Sequence, residues 1–364
     1  MKELREMFDD LDRPETYAVD PSGVYDWIVG LSRQLAQAAE MYVGKVDQVP
    51  GGAEPIRQVV VCGMGGSAIA GDVAYAAVRD VLPVPFQVMR GYIPPASLGE
   101  DTLQIVVSYS GDTEEAIWAY THGHNRGARV VAVCSGGGLA DLANRHGRLL
   151  VALPGDCLAP RLALGYMLGA VLAVLERSFR EVEGVWEWVK EGTTTLRRGV
   201  KKYERELPYE KNLAKRLAYE MHGVFPVVVA SELTWPAALR FQTQLNENAK
   251  WPCHATQLPE MNHNEIVAYF QPGPITSEVG IIMLRDKDDH PRVQYRQDFT
   301  ADMLEHRVAW IRQLRAEGKG LLARVLGLIQ AADFASYYLA CGRGLDPADI
   351  RAIGSLKERL GKVR

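Results

Sequence analysis

The chain has 364 residues, of which 47% are hydrophobic and 24% are charged. This length exceeds what one hydrophobic core usually organises, so the composition predicts a globular protein with two domains. The formal net charge of −4 gives no general attraction for nucleic acid or for an anionic membrane, so any phosphate must be held by a local site.

The first 50 residues predict a helical N-terminal extension. A helical pattern runs from Val24 to Tyr42, and the turn-rich Val49-Pro50-Gly51-Gly52 ends the extension. The segment from Met1 to Pro14 is acidic and lacks the apolar stretch of a secretory signal, so we expect a cytoplasmic protein. The longest apolar run, Leu162 to Leu175, is broken by glycines and too short to cross a bilayer, which predicts a buried helix.

From Gln58 onward, short runs rich in Val and Ile alternate with helical stretches. This alternation predicts parallel strands joined by crossover helices in a doubly wound α/β sheet, with ligands at the carboxyl ends of the strands. A second cycle begins after the charged stretch Lys201 to Lys215, which predicts two α/β domains, 51–190 and 191–364, the latter with a C-terminal helix. The predicted strands are 59–61, 86–88, 104–107, 129–133, 149–153, 226–230 and 281–284, and the second cycle contains a helix over 236–249.

Neither the cysteines nor the histidines predict a metal site. The five cysteines are scattered singly without CxxC spacing, which favours free thiols over disulfides or structural zinc. His122 and His124 lie close together after a helical stretch, but no carboxylate and histidine constellation accompanies them.

The first motif with chemical content is Cys62-Gly63-Met64-Gly65-Gly66-Ser67-Ala68, between a strand and a helix of small residues. Glycines let the backbone turn sharply and present N–H groups, and the helix start favours anionic charge, so the motif predicts a phosphate loop. Gly63, Gly65 and Ala68 also fit the dinucleotide pattern G-x-G-x-x-G/A. That interpretation expects an acid after the second strand, where Arg90 would suit only a phosphorylated dinucleotide. A tight turn without a ligand is the other alternative.

The second motif, Ser108-Tyr109-Ser110-Gly111-Asp112-Thr113, follows the strand 104–107 and also leads into a helix. Its three hydroxyl groups can each donate to a phosphate oxygen, and Thr113 begins a helix with acids in its first turn. An ordinary helix cap would account for Ser110 or Thr113 alone, but not for all three hydroxyls.

These two motifs together resemble the sugar isomerase (SIS) domain. With three further segments, the set is similar to the bifunctional phosphoglucose/phosphomannose isomerase family of archaea and some bacteria. The further segments are Pro160-Arg161-Leu162-Ala163-Leu164-Gly165, Gln244-Leu245-Asn246-Glu247-Asn248-Ala249-Lys250 and Asn262-His263-Asn264-Glu265. The resemblance implies a pair of SIS domains and a homodimer without a cofactor. It also implies interconversion of glucose 6-phosphate or mannose 6-phosphate with fructose 6-phosphate through a cis-enediol.

The resemblance also implies roles for individual residues. An aldose–ketose isomerase needs a carboxylate base and a cation near the developing oxyanion, and Glu247 and Arg161 would supply them. His263 would assist ring opening, reaching the site from the neighbouring subunit. The phosphate would be held by Gly65, Gly66, Ser67, Ser108, Ser110 and Thr113. Without the resemblance, Glu247 would read as a solvent-facing helix residue, His263 as a loop histidine and Arg161 as a surface cation.

The C-terminal Ile353-Gly354-Ser355-Leu356-Lys357 is similar to the family's Ile-x-x-Leu-Lys ending, so Lys357 would lie by the sugar ring. A solvated lysine is the alternative. Some members carry a threonine about two turns earlier that is linked to use of the mannose epimer, whereas this chain has Asp349, Ile350 and Arg351 there. Two other function classes stay open at this point: a sugar-phosphate-sensing regulatory SIS protein and an NADP-dependent oxidoreductase.

Overall fold

The structure is a computed structural model that describes residues 11–49, 55–271 and 273–362. The chain forms two compact units. The five-stranded unit comprises residues 27–198 and 316–328, and the four-stranded unit comprises the described residues up to 26, 199–315 and 329–362. The chain crosses between the units inside a helix at three of four places, and the fourth crossing follows the strand that ends at Arg315. The boundary predicted at residue 190 lies within one of those helices.

The five-stranded unit alternates strands and helices along the chain. Its strands are β1 (Gln58–Cys62), β2 (Phe86–Met89), β3 (Thr102–Val107), β4 (Arg129–Cys134) and β5 (Leu149–Ala152). Its helices are α1 (Val24–Val29, partly in the other unit), α2 (Leu31–Tyr42), α3 (Gly66–Val78), α4 (Glu114–Asn125), α5 (Gly137–Arg145), α6 (Leu164–Ser178) and the first part of α7 (Val185–Tyr203). The helical stretch predicted over 24–42 is therefore two helices that meet at Gly30.

All five strands pair in parallel in the order β2-β1-β3-β4-β5. The central strands β1, β3 and β4 are almost entirely buried because helices cover both faces of a parallel sheet, which is why they read as continuous apolar runs. Strand order reverses at β1, since β2 lies on one side of it and β3 on the other. The carboxyl ends of β1 and β3 therefore form a topological switch point, where open α/β sheets bind ligands.

The four-stranded unit repeats this arrangement. It contains α8 (Leu213–Met221), β6 (Phe225–Ala230), α9 (Trp235–Glu247), β7 (His254–Gln257), β8 (Val279–Arg285), α10 (Pro291–Leu304), β9 (Trp310–Arg315), the later part of α11 (Leu321–Gly342) and α12 (Arg351–Leu360). Its strands pair in parallel in the order β7-β6-β8-β9. The two parallel sheets confirm the predicted fold class. Strands β7 and β9, which the sequence did not predict, are the two edges of this sheet.

Candidate active site

The glycine-rich loop after β1 leads directly into α3 at the carboxyl edge of the five-stranded sheet. Gly65 has φ +50° and ψ −124°, a conformation that other residues rarely adopt, and α3 begins at Gly66. Ser67 lies in the first turn of α3, buried, with its hydroxyl 3.4 Å from the Met167 Sδ. Backbone N–H groups at such a helix start, together with the helix dipole, make the loop suitable for a phosphate.

The loop after β3 carries the hydroxyl groups. The buried Ser108 donates to Thr113 Oγ1 at 3.0 Å and accepts from the Gly111 N–H at 3.2 Å, while Ser110 is exposed and accepts from the Asp112 N–H at 3.3 Å. Thr113 is the residue before α4, yet its side chain makes no capping hydrogen bond. The loop is thus ordered by its own hydrogen bonds around a group of hydroxyls.

The two loops are neighbours at the switch point. A Cβ added at Gly63 would lie 3.0 Å from the Val107 carbonyl oxygen, so the ends of β1 and β3 are in close contact there. A Cβ added at Gly111 would lie only 1.8 Å from the Gly136 carbonyl oxygen, which ties the hydroxyl loop to the backbone after β4. The geometry therefore brings Gly65, Gly66, Ser67, Ser108, Ser110 and Thr113 to one edge of one sheet.

Arg161 lies next to the glycine-rich loop. It belongs to the short 3₁₀ turn Pro160–Leu162 before α6, and only 3% of it is exposed. A Cβ added at Gly66 would lie 2.8 Å from the Arg161 Cα and 3.2 Å from the Pro160 carbonyl oxygen. The absence of a side chain at Gly66 therefore allows the backbone of the Arg161 turn to approach the glycine-rich loop closely.

Two residues that the sequence analysis did not identify hold the segment 154–165, which contains the Arg161 turn. The buried Gln34 on α2 donates from Nε2 to the Leu162 carbonyl oxygen at 2.7 Å and accepts from the Gly165 N–H at 3.0 Å. Tyr109 donates to the Pro154 carbonyl oxygen at 2.8 Å and accepts from the Cys157 N–H at 2.8 Å. Tyr109 lies inside the second motif, but no local pattern distinguished Gln34 from other helix residues.

Glu247 is the last residue of α9 in the four-stranded unit and is half-buried. The helix is fixed by a buried ion pair in which Arg240 donates to both Asp333 carboxylate oxygens at 2.9 and 3.0 Å. The next residue, Asn248, donates to the Ser336 hydroxyl at 3.0 Å. Contacts with α11 thus hold the end of α9 and the carboxylate it carries.

The other two predicted catalytic residues of this unit lie on exposed segments. His263 ends the 3₁₀ turn Glu260–His263 after β7, and its side chain is exposed. Lys357 lies on α12, all of whose residues are exposed.

The corresponding edge of the four-stranded sheet differs in charge. Ser231 follows β6 there, but the loop after β8 contributes Asp286 and Asp289, of which only 4% and 3% are exposed. Asp289 accepts from the Asp286 N–H at 3.0 Å, and burial raises the pKa of its carboxyl group. Buried carboxyl groups disfavour a phosphate, so the hydroxyl-lined edge of the five-stranded sheet is the better phosphate site.

The dinucleotide interpretation requires a cation for the 2′-phosphate, and in the structure the candidate cation, Arg90, is already paired with a carboxylate. Arg90, after β2, forms an ion pair with Asp72 of α3, and burial raises the pKa of that aspartate to about 6. Within the described residues, no group of three or more His, Cys, Asp or Glu side chains could hold a metal ion. None of the described helices is long and apolar enough to span a membrane.

Comparisons with known proteins agree with these features. Residues 210–360 match the family described as bacterial phospho-glucose isomerase C-terminal SIS domain. A protein of Caldicellulosiruptor bescii named bifunctional phosphoglucose/phosphomannose isomerase is 35% identical over 342 residues, which cover 94% of this chain and all of that protein. Its namesake in Aquifex aeolicus is 34% identical, over 85% of this chain and 92% of that protein.

The fold is shared with a solved structure from Thermus thermophilus, a glucose-6-phosphate isomerase like protein. The TM-score is 0.60 at 21% identity, and the match covers 96% of this chain and 98% of that one. Identity above 30% along almost the whole length, together with the paired parallel sheets, shows that this chain belongs to the bifunctional phosphoglucose/phosphomannose isomerase family.

Proposed function

We propose that this chain is an aldose–ketose isomerase that interconverts glucose 6-phosphate, and also mannose 6-phosphate, with fructose 6-phosphate. The observation that carries the proposal is the cluster of Ser108, Ser110 and Thr113 hydroxyls beside the Gly65-Gly66 loop, in a chain whose relatives bear this activity in their names. A phosphate oxygen can accept from each hydroxyl and from the N–H groups at the starts of α3 and α4.

The chemistry requires ring opening followed by proton transfer between C1 and C2. In the proposed mechanism, Glu247 takes the proton from one carbon and returns it to the other. Arg161 stabilises the negative charge on the enediolate oxygen, an interaction that is stronger in the transition state than in the bound substrate. His263 and Lys357 assist opening of the ring by proton transfer at the ring oxygen.

Two alternatives make different demands on the chain. A regulatory sugar-phosphate sensor would need the phosphate loops but neither Glu247 nor His263. An NADP-dependent oxidoreductase would need a cation for the 2′-phosphate, and the ion pair with Asp72 already engages Arg90.

Incubation with fructose 6-phosphate without added metal, once without a cofactor and once with NADPH, tests all three possibilities. We expect glucose 6-phosphate to form, with mannose 6-phosphate as a second product. Tight binding without conversion would favour the sensor. Conversion that requires NADPH would favour the oxidoreductase, and either result would refute the isomerase.

We further propose a cytoplasmic homodimer in which His263 acts in the neighbouring subunit's site. The exposed position of His263 on the turn Glu260–His263 supports this arrangement. If it is right, mixing inactive Glu247→Gln and His263→Ala proteins by reversible unfolding should restore about a quarter of wild-type activity, because half of the dimers are mixed and each has one intact site. Absence of recovery in verified mixed dimers would place His263 in its own subunit's site.

A further inference from the structure

The turn that carries His263 is held by its neighbours on both sides. Met261 is fully buried in the core of the four-stranded unit, whereas His263, two residues later, is exposed. An exposed side chain on a short 3₁₀ turn would sample many orientations if the backbone were free to move. The hydrogen bonds of the flanking residues therefore limit the movement of the backbone that carries the imidazole.

Asn262 anchors the turn to helix α10. Its side-chain amide donates to the Thr300 hydroxyl at 2.9 Å, and its carbonyl oxygen accepts from an Arg296 guanidinium nitrogen at 3.3 Å. Thr300 lies one helical turn beyond Arg296, and only 1% of it is exposed. Hydrogen bonds to such a buried helical group hold the turn to a rigid element, and both polar groups of the amide are used.

Glu265 anchors the other side. One carboxylate oxygen accepts from the Tyr269 hydroxyl at 3.2 Å, and the other lies 3.2 Å from the His254 Nε2 of β7. Tyr269 is buried in the same core as Met261. Asn264, between the two anchors, accepts from the Glu265 N–H and donates to Glu260 at 2.7 Å.

We propose that Asn262 is a positioning residue for the isomerase reaction and holds His263 through Thr300, while Glu265 and Tyr269 anchor the other side of the turn. The inference rests on the proposed function, because it takes His263 to be the group that assists ring opening. As positioning groups, the anchors act through His263 and not on the substrate directly. The phosphate loops and the base do not depend on these hydrogen bonds, so their loss should slow ring opening and leave substrate binding nearly intact.

The sharpest variant is Thr300→Val, which keeps the shape of the buried side chain and removes the hydroxyl. We expect kcat with fructose 6-phosphate to fall about tenfold to a hundredfold, since small displacements of a catalytic group have effects of this size, while KM stays within about threefold. Thr300→Ser retains the hydroxyl and should restore most of kcat. If Thr300→Val does not fold, Asn262→Ala serves as the second variant, because it removes the same hydrogen bond by truncating its half-buried partner.

Thr193→Val is the matched control. Thr193 is also a buried helical threonine, but its hydroxyl donates to the Val189 carbonyl oxygen of its own helix at 2.9 Å. This variant should keep wild-type kcat. Thermal unfolding of each variant separates loss of folded protein from loss of turnover.

Two further measurements distinguish positioning from general damage. In a His263→Ala background, Thr300→Val should cause no additional loss of kcat, because it acts through the missing imidazole. With 5-deoxy-fructose 6-phosphate, which lacks the hydroxyl that closes the furanose ring, Thr300→Val should turn over at nearly the wild-type rate.

The outcomes separate this inference from the function on which it rests. Wild-type kcat in both Thr300→Val and Asn262→Ala, in a protein that His263→Ala inactivates, would overturn the positioning role alone. An equal fractional loss in the His263→Ala background would also overturn it. Full activity of His263→Ala would reject the ring-opening role together with this inference, and no conversion by the wild-type protein would reject the proposed function itself.

Discussion

Gly66 offers a direct test of the contact between the phosphate loop and Arg161. Gly66→Ala would place a Cβ 2.8 Å from the Arg161 Cα and 3.1 Å from its N, where 3.4 Å is the start of an ordinary contact. The atoms that must yield are backbone atoms of the turn Pro160–Leu162, which a rotamer change cannot relieve. The turn must therefore move back by about 0.6 Å, a strain that typically costs about 1–3 kcal/mol.

This displacement should affect both stability and catalysis. We expect the melting temperature to fall by several degrees, since about 1 kcal/mol corresponds to about 2–4 °C for a unit of about 150–250 residues, and the five-stranded unit, 27–198 with 316–328, falls in this range. We expect kcat/KM for fructose 6-phosphate to fall by about a hundredfold, because a misplaced Arg161 stabilises the enediolate poorly. Both quantities are measured on the purified variant, by thermal unfolding and by coupled assay of glucose 6-phosphate.

Gly327→Ala is the matched control in the same unit. Gly327 lies within helix α11, and its added Cβ would meet only the Thr195 Cγ2 at 3.6 Å and the Glu317 carbonyl oxygen at 3.7 Å. This variant should keep wild-type activity and gain up to about 1 kcal/mol of stability from the lower entropy of its unfolded chain. If Gly66→Ala behaves like the control in both assays, the close contact between Gly66 and the Arg161 turn does not position Arg161.

Four further predictions concern single groups. Glu247→Gln should bind substrate normally and lose about 10²–10⁴-fold in kcat, as measured by steady-state kinetics, because the amide accepts no proton; near-full turnover would refute its role as the base. Ser110→Ala combined with Thr113→Ala should chiefly raise KM, and unaltered inhibition by 6-phosphogluconate would contradict the phosphate site. With Ile350 near the position of the family's threonine, kcat/KM should favour glucose 6-phosphate over mannose 6-phosphate at least tenfold, or ~1.4 kcal/mol, and equal values would show that this position does not control the epimer. Burial and nearby cationic groups lower the pKa of His124 in the folded protein, so its stabilising contribution is present above about pH 6.5 and is lost as the pH falls through the lowered pKa. His124→Gln should therefore show a smaller drop in melting temperature between pH 7.5 and pH 5.5 than wild type, and an identical drop would exclude His124 as a source.

The buried strands could be predicted from sequence because their environment is nearly uniform. Strands β1, β4 and β8 lie inside parallel sheets, so almost every residue in them is apolar. Strands β7 and β9 are edge strands and include exposed polar residues, which leave no apolar run to detect. They were missed because an apolar run is the sequence signal of a strand in these sheets.

The two proposed phosphate loops were also accessible to sequence analysis, because each is a contiguous motif at a strand-to-helix junction. Glycine and hydroxyl residues at such a junction indicate an anion site from local geometry alone. The candidate catalytic residues were different, since Arg161, Glu247 and His263 could be identified only through resemblance to a family.

Tertiary structure alone decided which residues hold these groups in place. Gln34 bonds to a carbonyl 128 residues away, and Asn262 bonds to a threonine 38 residues away. A glutamine or threonine in a helix can form hydrogen bonds with many kinds of partner. The local sequence around it is the same whether that partner is water or a residue of an active-site turn. Sequence therefore determined the parallel-sheet fold and the glycine- and hydroxyl-rich edge at which we propose that a phosphate binds, where the information is local. The supports of Arg161 and His263 depend on which distant segments meet when the sheets form, and short-range periodicity does not encode those long-range pairings.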